Sequence, residues 1–263
     1  DKIIWEDALE RLPEAIGEKR PQWKIPEITG TDLRTRCTKV GGTHGLDGWR
    51  KAELLQLPPQ WWDAIAHIFN QIEETGDWPE GLAQAAVPLI PKEGGDGTPQ
   101  QQRPITILPV LYRAWAGLRY QHLREWQMSW AEDCMYGGII EAEAAMAALE
   151  TALEVEEAIL DDDPLIAGFL DYSKFFDQLP WELLWPLALW WGAPESIIRA
   201  MHTFYLVVTS SFKIGDHFGP KWKRTNSIAQ GCPLSILWAN MIGALWAKIL
   251  NIEAPNVKKN VFV

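Results

Sequence analysis

Cysteine is scarce: Cys37, Cys134 and Cys232 are the three in 263 residues, and no two have CxxC spacing. An odd number of thiols far apart in the chain suggests neither a disulfide framework nor a zinc site, and a reducing compartment is the default expectation. The five histidines have no metal-ligand spacing either. The first residues hold no basic segment followed by an apolar run that could serve as a signal peptide. The chain opens on Asp1 rather than methionine, so it reads as an excised soluble piece. Repeats, low-complexity tracts and Pro/Gly-rich linkers are missing. What is present is 47% apolar and 11% aromatic residues, which excludes a disordered or fibrous chain and suffices for a sizeable core. The length admits one large domain or two small ones.

Charge of one sign is missing locally. Residues 141–163 carry nine acidic side chains and no basic one. The chain holds 35 Asp+Glu and 24 Lys+Arg, so outside that stretch the balance is 26 acidic against 24 basic, a net of −2 rather than −11. The acidic total therefore does not exclude a nucleic-acid partner, whose phosphates need Lys and Arg. Two mildly basic patches, Lys92 to Arg124 and Arg199 to Arg224, flank the acidic stretch; they read either as solvated faces or as contacts for a polyanion. The window Thr225 to Ala247 is uncharged and long enough to span a bilayer, but Asn226, Ser227, Gln230, Ser235 and Asn240 interrupt it and Gly231-Cys232-Pro233 breaks it. A core helix is expected there and no membrane span.

The periodicity predicts a helix over Pro59 to Gly76 with Trp61, Ile65, Ile68 or Phe69, and Ile72 on its apolar face. Short strands follow at Ala85 to Ile90 and Pro104 to Leu108, a hairpin whose long tip is Lys92 to Gln102. Helices are expected over Leu111 to Trp130 and Glu141 to Leu160, the second with alanine and leucine inward and glutamate outward. Leu165 to Leu170 has strand length and composition and would deliver Asp171 to the C-terminal end of a buried strand. Further helices are expected at Trp181 to Trp191 and Glu195 to Leu206. Val207 to Ile214 reads as a strand, Gly215-Asp216 as a turn, Lys221 to Ile228 as the return strand, and Pro233 opens a last helix. Most of the 16 tryptophans are expected in the core, at helical spacing around Trp61, Trp115, Trp126, Trp185 and Trp246.

Three segments can carry chemistry, and each has a plain alternative. Phe169 to Asp177 delivers Asp171 to a strand edge with an aromatic five positions on; Asp171 is a candidate site carboxylate or a strand-end carboxylate facing water, and Asp177 suits capping of the helix near Pro180. Ser227 to Ser235 turns from strand to helix through Gly231, allowing close approach of a ligand or simply making the turn. Lys92 and Arg103 flank the hairpin tip as a grip for a triphosphate or as surface charges.

The order of segments resembles the reverse transcriptase of non-LTR (LINE-type) retrotransposons, with kinship to group II intron reverse transcriptases. Gly45-Leu46-Asp47-Gly48-Trp49 resembles that family's GPDG-type loop. Leu89-Ile90-Pro91-Lys92 and Arg103-Pro104-Ile105 resemble its fingers motifs, Leu170 to Asp177 its LDxxKAFD segment, and Ser227 to Ser235 its QGCPLSP segment.

The resemblance implies an α+β right-hand polymerase: residues 1–38 as an N-terminal extension, 39–160 as fingers and fingers–palm helices, and 161–263 as an incomplete palm without thumb, its antiparallel sheet packed on helices. Asp171 would be the catalytic carboxylate, ligating Mg²⁺ with the backbone carbonyl of Tyr172 in a two-metal site. Lys92 and Arg103 would bind the phosphates. Phe176 would lie under the deoxyribose and exclude a 2′-hydroxyl, while Gln230 and Gly231 would meet the nascent base pair. The implied partners are an RNA template, a DNA primer and dNTPs, in an intracellular setting with the nucleus among the options. Three departures stand out: Phe175 replaces a small residue, Ile236 replaces a proline, and the chain stops before an aromatic-x-Asp-Asp turn. As it stands the chain is therefore expected to be inactive. A degenerate scaffold for RNA or protein binding is the other reading.

Overall fold

Helix formation in the N-terminal half follows directly from punctuation in the sequence. Proline at the first helical position and Gly76 just past the end bracket a helix over Pro59–Thr75; Gly76 adopts φ 84° and its N–H bonds the Ile72 carbonyl. A computed structural model of the chain describes residues 12–94, 98 and 101–262. In it the helices are α1 (Leu12–Ile16), α2 (Gly30–Thr38), α3 (Lys51–Leu54), α4 (Pro59–Thr75), α5 (Val110–Trp130), α6 (Ala144–Leu160), α7 (Phe175–Gln178), α8 (Trp181–Trp190), α9 (Glu195–Val207) and α10 (Ser235–Glu253). The strands are β1 (Gln84–Pro91), β2 (Gln102–Pro104), β3 (Thr209–Ile214), β4 (His217–Phe218) and β5 (Trp222–Lys223). Part of the expected hairpin tip, 95–97 and 99–100, and residues 1–11 of the expected extension lie outside the described residues.

Helix α2 is started by Thr29, whose hydroxyl accepts from the Asp32 amide at 3.1 Å. Its buried face, Leu33 and Cys37, packs on α4 and α5. The buried face of α4 is Trp62, Ala66, Phe69, Ile72 and Glu73: Phe69 and Ile72 are buried as expected, while Trp62 and Ala66 take the places expected for Trp61 and Ile65. Trp61 is 58% exposed and Ile68 41% exposed. Helix α5 is the central element. Around it Phe69, Trp78, Tyr112, Trp115 and Phe204 form one aromatic cluster, with ring centroids between 4.3 and 6.3 Å apart. Trp126, Trp130, Trp185, Trp191 and Trp238 form another. Trp115, Trp126 and Trp185 are core, as their spacing predicts, whereas Trp61 is exposed and Trp246 only partly buried. Helix α10 is long and apolar enough to cross a bilayer, but more than half of its apolar window is buried among the other helices.

The sheet runs β2-β1-β3-β4, with β5 also on β3. Hairpin β1–β2 pairs Ile90 with Arg103, and β3–β4 turns tightly through Gly215-Asp216, pairing Ile214 with His217. Within 161–263 the strand pairs β3–β4 and β3–β5 are antiparallel, whereas the pair β1–β3, which joins that segment to the first half of the chain, is parallel, with Ala86 opposite Ser211. The intervening helices supply the crossover that a parallel pair requires. One sheet thus joins residues expected in the fingers to residues expected in the palm. The return strand is two residues long, Trp222–Lys223, rather than Lys221 to Ile228.

Two expectations for residues 141–171 are overturned. Leu165 to Leu170 forms no strand: Ile166 is 96% exposed and Phe169 87% exposed. Helix α6 buries none of its residues, and Leu149, Leu153, Ile159 and Leu160 are exposed. A strand-length apolar run becomes a strand only beside a neighbour that takes its backbone hydrogen bonds, and none of the described strands lies along it.

Candidate functional site

The turn 227–235 is held from several sides. Ser227 adopts φ 77°, a conformation uncommon for a residue with a Cβ. Its N–H donates to the Leu179 carbonyl at 2.9 Å, and its own carbonyl accepts from Trp181 Nε1 at 2.6 Å. The next amide, Ile228, donates to the Phe176 carbonyl at 2.9 Å. The Ala229 amide donates to the buried Tyr205 hydroxyl at 3.0 Å, and Ser235 Oγ donates to the Ala229 carbonyl at 2.7 Å. Cys232 lies in the core against the Tyr112 hydroxyl, 3.3 Å away. Burial raises the pKa of its thiol and of both tyrosines, so all three are neutral structural groups.

Across the turn lies the segment leaving β2. The Thr106 amide donates to the Gln230 carbonyl at 2.6 Å. Gly231 adopts φ 119° with its Cα so close to this segment that a Cβ would stand 2.5 Å from the Thr106 oxygen. Arg224 completes the junction. Its guanidinium donates to Ser227 Oγ at 3.0 Å and to Thr106 Oγ1 at 2.9 Å, and it lies 5.3 Å from the Trp222 ring. Burial lowers the Arg224 pKa, opposed by Tyr205 and Asp177; burial raises that of Asp177, opposed by Arg224 and Lys174.

The sequence-predicted residues divide accordingly. Phe176, Gln230 and Gly231 are joined to Thr106, three residues beyond Arg103, in one hydrogen-bonded junction. Lys92 and Arg103 flank the hairpin tip; the Lys92 amide donates to the Gln101 carbonyl at 2.8 Å, and the Arg103 side chain is exposed. Asp171 sits on the exposed stretch and, among the described residues, has no hydrogen-bond or ion-pair partner. Its expected place at the end of a buried strand is thereby corrected. The Tyr172 ring lies 5.7 Å from that of Phe175, the neighbour of Phe176 in the chain. Asp177 lies inside α7 and does not cap α8, whose cap position is Pro180 with no side-chain bond. Sequence reasoning gives Arg224 no part in a site, and it places Ser227 and Thr106 in or beside candidate segments without a role of their own. Arg224 was counted only as one charge of a basic patch, and nothing in its spacing singles it out.

A second ordered feature is the loop 41–48. Arg113 of α5 donates to the carbonyls of Gly41 and Thr43, and Gly45 packs against the Pro109 backbone, where a Cβ would stand 2.8 Å away. Asp47 Oδ1 is buried with no partner, and burial raises its pKa from 3.8 against the opposing effects of nearby amides, His44 and Arg113. A raised carboxylate takes up its proton in the folded state first, so folding weakens as pH climbs from 3.8 through the raised value. Asp47→Asn should therefore raise the thermal midpoint at pH 7, with the gain vanishing below pH 3.8. Equal midpoints at both pH values would show that the ionised carboxylate is not disfavoured.

No protein-family model matches the chain. A search of curated proteins relates it to a retrotransposon polyprotein. That relative is the retrovirus-related Pol polyprotein of a type-2 retrotransposable element of Drosophila melanogaster, 24% identical over 216 residues. The match covers 82% of this chain and 20% of the relative, so the chain spans about a fifth of that protein's length.

Proposed function

We propose that this chain carries fingers and palm segments of an RNA-directed DNA polymerase from a retroelement, with residues 39–160 and 161–263 in those roles. The observation that carries the reading is the junction of Thr106, Phe176, Gln230 and Gly231. Segments about 55–70 residues apart in the chain are brought together there, which supports the reading. The similarity to a retrotransposon Pol polyprotein points the same way. In this reading Arg103 and Lys92 attract the triphosphate, Phe176 packs against the sugar, and the Gln230–Gly231 peptide bounds the base pair. RNA template, DNA primer and dNTPs are the partners, and no membrane is called for.

The Mg²⁺ that the resemblance implies does not fit the donors present. Asp171 and the Tyr172 carbonyl are the two oxygen donors proposed for it, and among the described residues no three His, Cys, Asp or Glu side chains converge. A two-metal site needs more carboxylate oxygen than that, so no metal-dependent step is derived from these residues. This same observation favours the second reading, a degenerate polymerase-like scaffold that binds RNA or protein.

Primer extension on an RNA template, with dNTPs and Mg²⁺, separates the two. A chain continued past Val263 is expected to extend the primer, and Asp171→Asn to reduce product to background. A folded, continued chain that makes no product would establish the scaffold reading.

A further inference from the structure

We propose that Arg224 is a positioning residue of this site, a latch whose guanidinium ties Thr106 to Ser227 and so sets the Gln230–Gly231 peptide. Three observations carry this. First, Ser227 is held at φ 77°, and such a conformation persists only where its surroundings over-determine it. The backbone bonds to Leu179 and Trp181 do part of that, and the Arg224 bond to its hydroxyl locks the side chain. Second, the same guanidinium reaches the far side of the turn, bonding the Thr106 hydroxyl while the Thr106 amide holds the Gln230 carbonyl. Third, among the described residues no carboxylate lies within ion-pair distance of Arg224. A half-buried cation bonded to two neutral hydroxyls and lying beside an indole uses its planar fork rather than its charge alone. Lysine, a point charge on a flexible stem, cannot span both hydroxyls.

The experiment uses the full chain and hydrogen exchange at the Thr106 and Ile228 amides. Arg224→Ala is expected to accelerate exchange at both by about tenfold or more, as loss of a charge-assisted bond implies. Amides in α4 should keep their wild-type rates. Ethylguanidinium, far below denaturing concentration, should restore protection in Arg224→Ala, and ethylammonium should not. Arg224→Lys should behave like the alanine variant. Unchanged exchange at Thr106, equal acceleration along the whole chain, or equal rescue by either cation would overturn the latch. Should Arg224→Ala not fold, Thr106→Val and Ser227→Ala take its place. Each should accelerate Thr106 exchange, and the double variant should add little, because both remove an acceptor of one guanidinium; full additivity would overturn the proposal.

The consequence for nucleotide binding rests on the polymerase reading. There Arg224→Ala should weaken dNTP binding by about tenfold, recovered by ethylguanidinium. A wild-type chain that binds no dNTP would count against the polymerase reading alone, because the exchange measurement still decides the latch.

Discussion

Glu73→Ala should cost about 3–5 kcal/mol of folding stability, the range for breaking a buried ion pair from one side. Glu73 and Arg119 are 5% and 1% exposed, on α4 and α5. Glu73 Oε1 accepts from Arg119 Nε and from Trp115 Nε1, both at 2.7 Å, and Oε2 accepts from the other guanidinium arm at 2.6 Å. The third guanidinium nitrogen donates to the Pro26 carbonyl at 2.7 Å and faces His122. Truncation strips the guanidinium of its counter-charge while leaving it inside, and also orphans an indole N–H. The large loss comes from that uncompensated charge more than from the worth of the pair. Replacing both partners, Glu73→Met with Arg119→Met, should therefore recover most of it. Urea unfolding of the single and double variants measures both, with little salt dependence because the pair is buried. A single-variant loss below about 1 kcal/mol would mean that water reaches the pair freely.

Gly231→Ala should be the second most damaging change, costing about 2–4 kcal/mol from backbone strain and a lost hydrogen bond. The added methyl would stand 2.5 Å from the Thr106 oxygen at φ 119°. The neighbour is backbone rather than the end of a flexible side chain, so relief requires the turn and the β2 segment to part. Parting breaks the bond from the Thr106 amide to Gln230. Thermal unfolding gives the loss, and Gly81→Ala is the control, since a methyl there meets nothing within 4 Å. Equal midpoints for the two variants would show that the turn is not docked on Thr106.

Much of this molecule is legible in local pattern. The α4 boundaries follow from a proline and a glycine, strand β1 from a short apolar run, and the burial of Trp115, Trp126 and Trp185 from helical spacing; strand β2 is Gln102–Pro104 and meets the expected Pro104 to Leu108 only at Pro104. The failures are instructive. Phe69 and Ile72 of α4 are buried as the spacing predicts, but Trp62 rather than Trp61 faces the core, because a run such as Trp61-Trp62 offers two faces and the packing of α2 and α5 selects one. The strand expected at Leu165 to Leu170 did not form among the described elements, since strand propensity describes a half-buried surface rather than a backbone preference.

The sequence by itself determined where helices start and stop, which residues are apolar enough to bury, and the order of segments that resembles a retroelement polymerase, because these depend on local sterics and composition. Only the tertiary structure decided that β1 and β3 run parallel in one sheet, that Thr106 closes on Gly231, and that Arg224 holds them together. Those facts depend on pairings across about 120 residues, and a guanidinium finds its acceptors by position in space, which no spacing along the chain encodes.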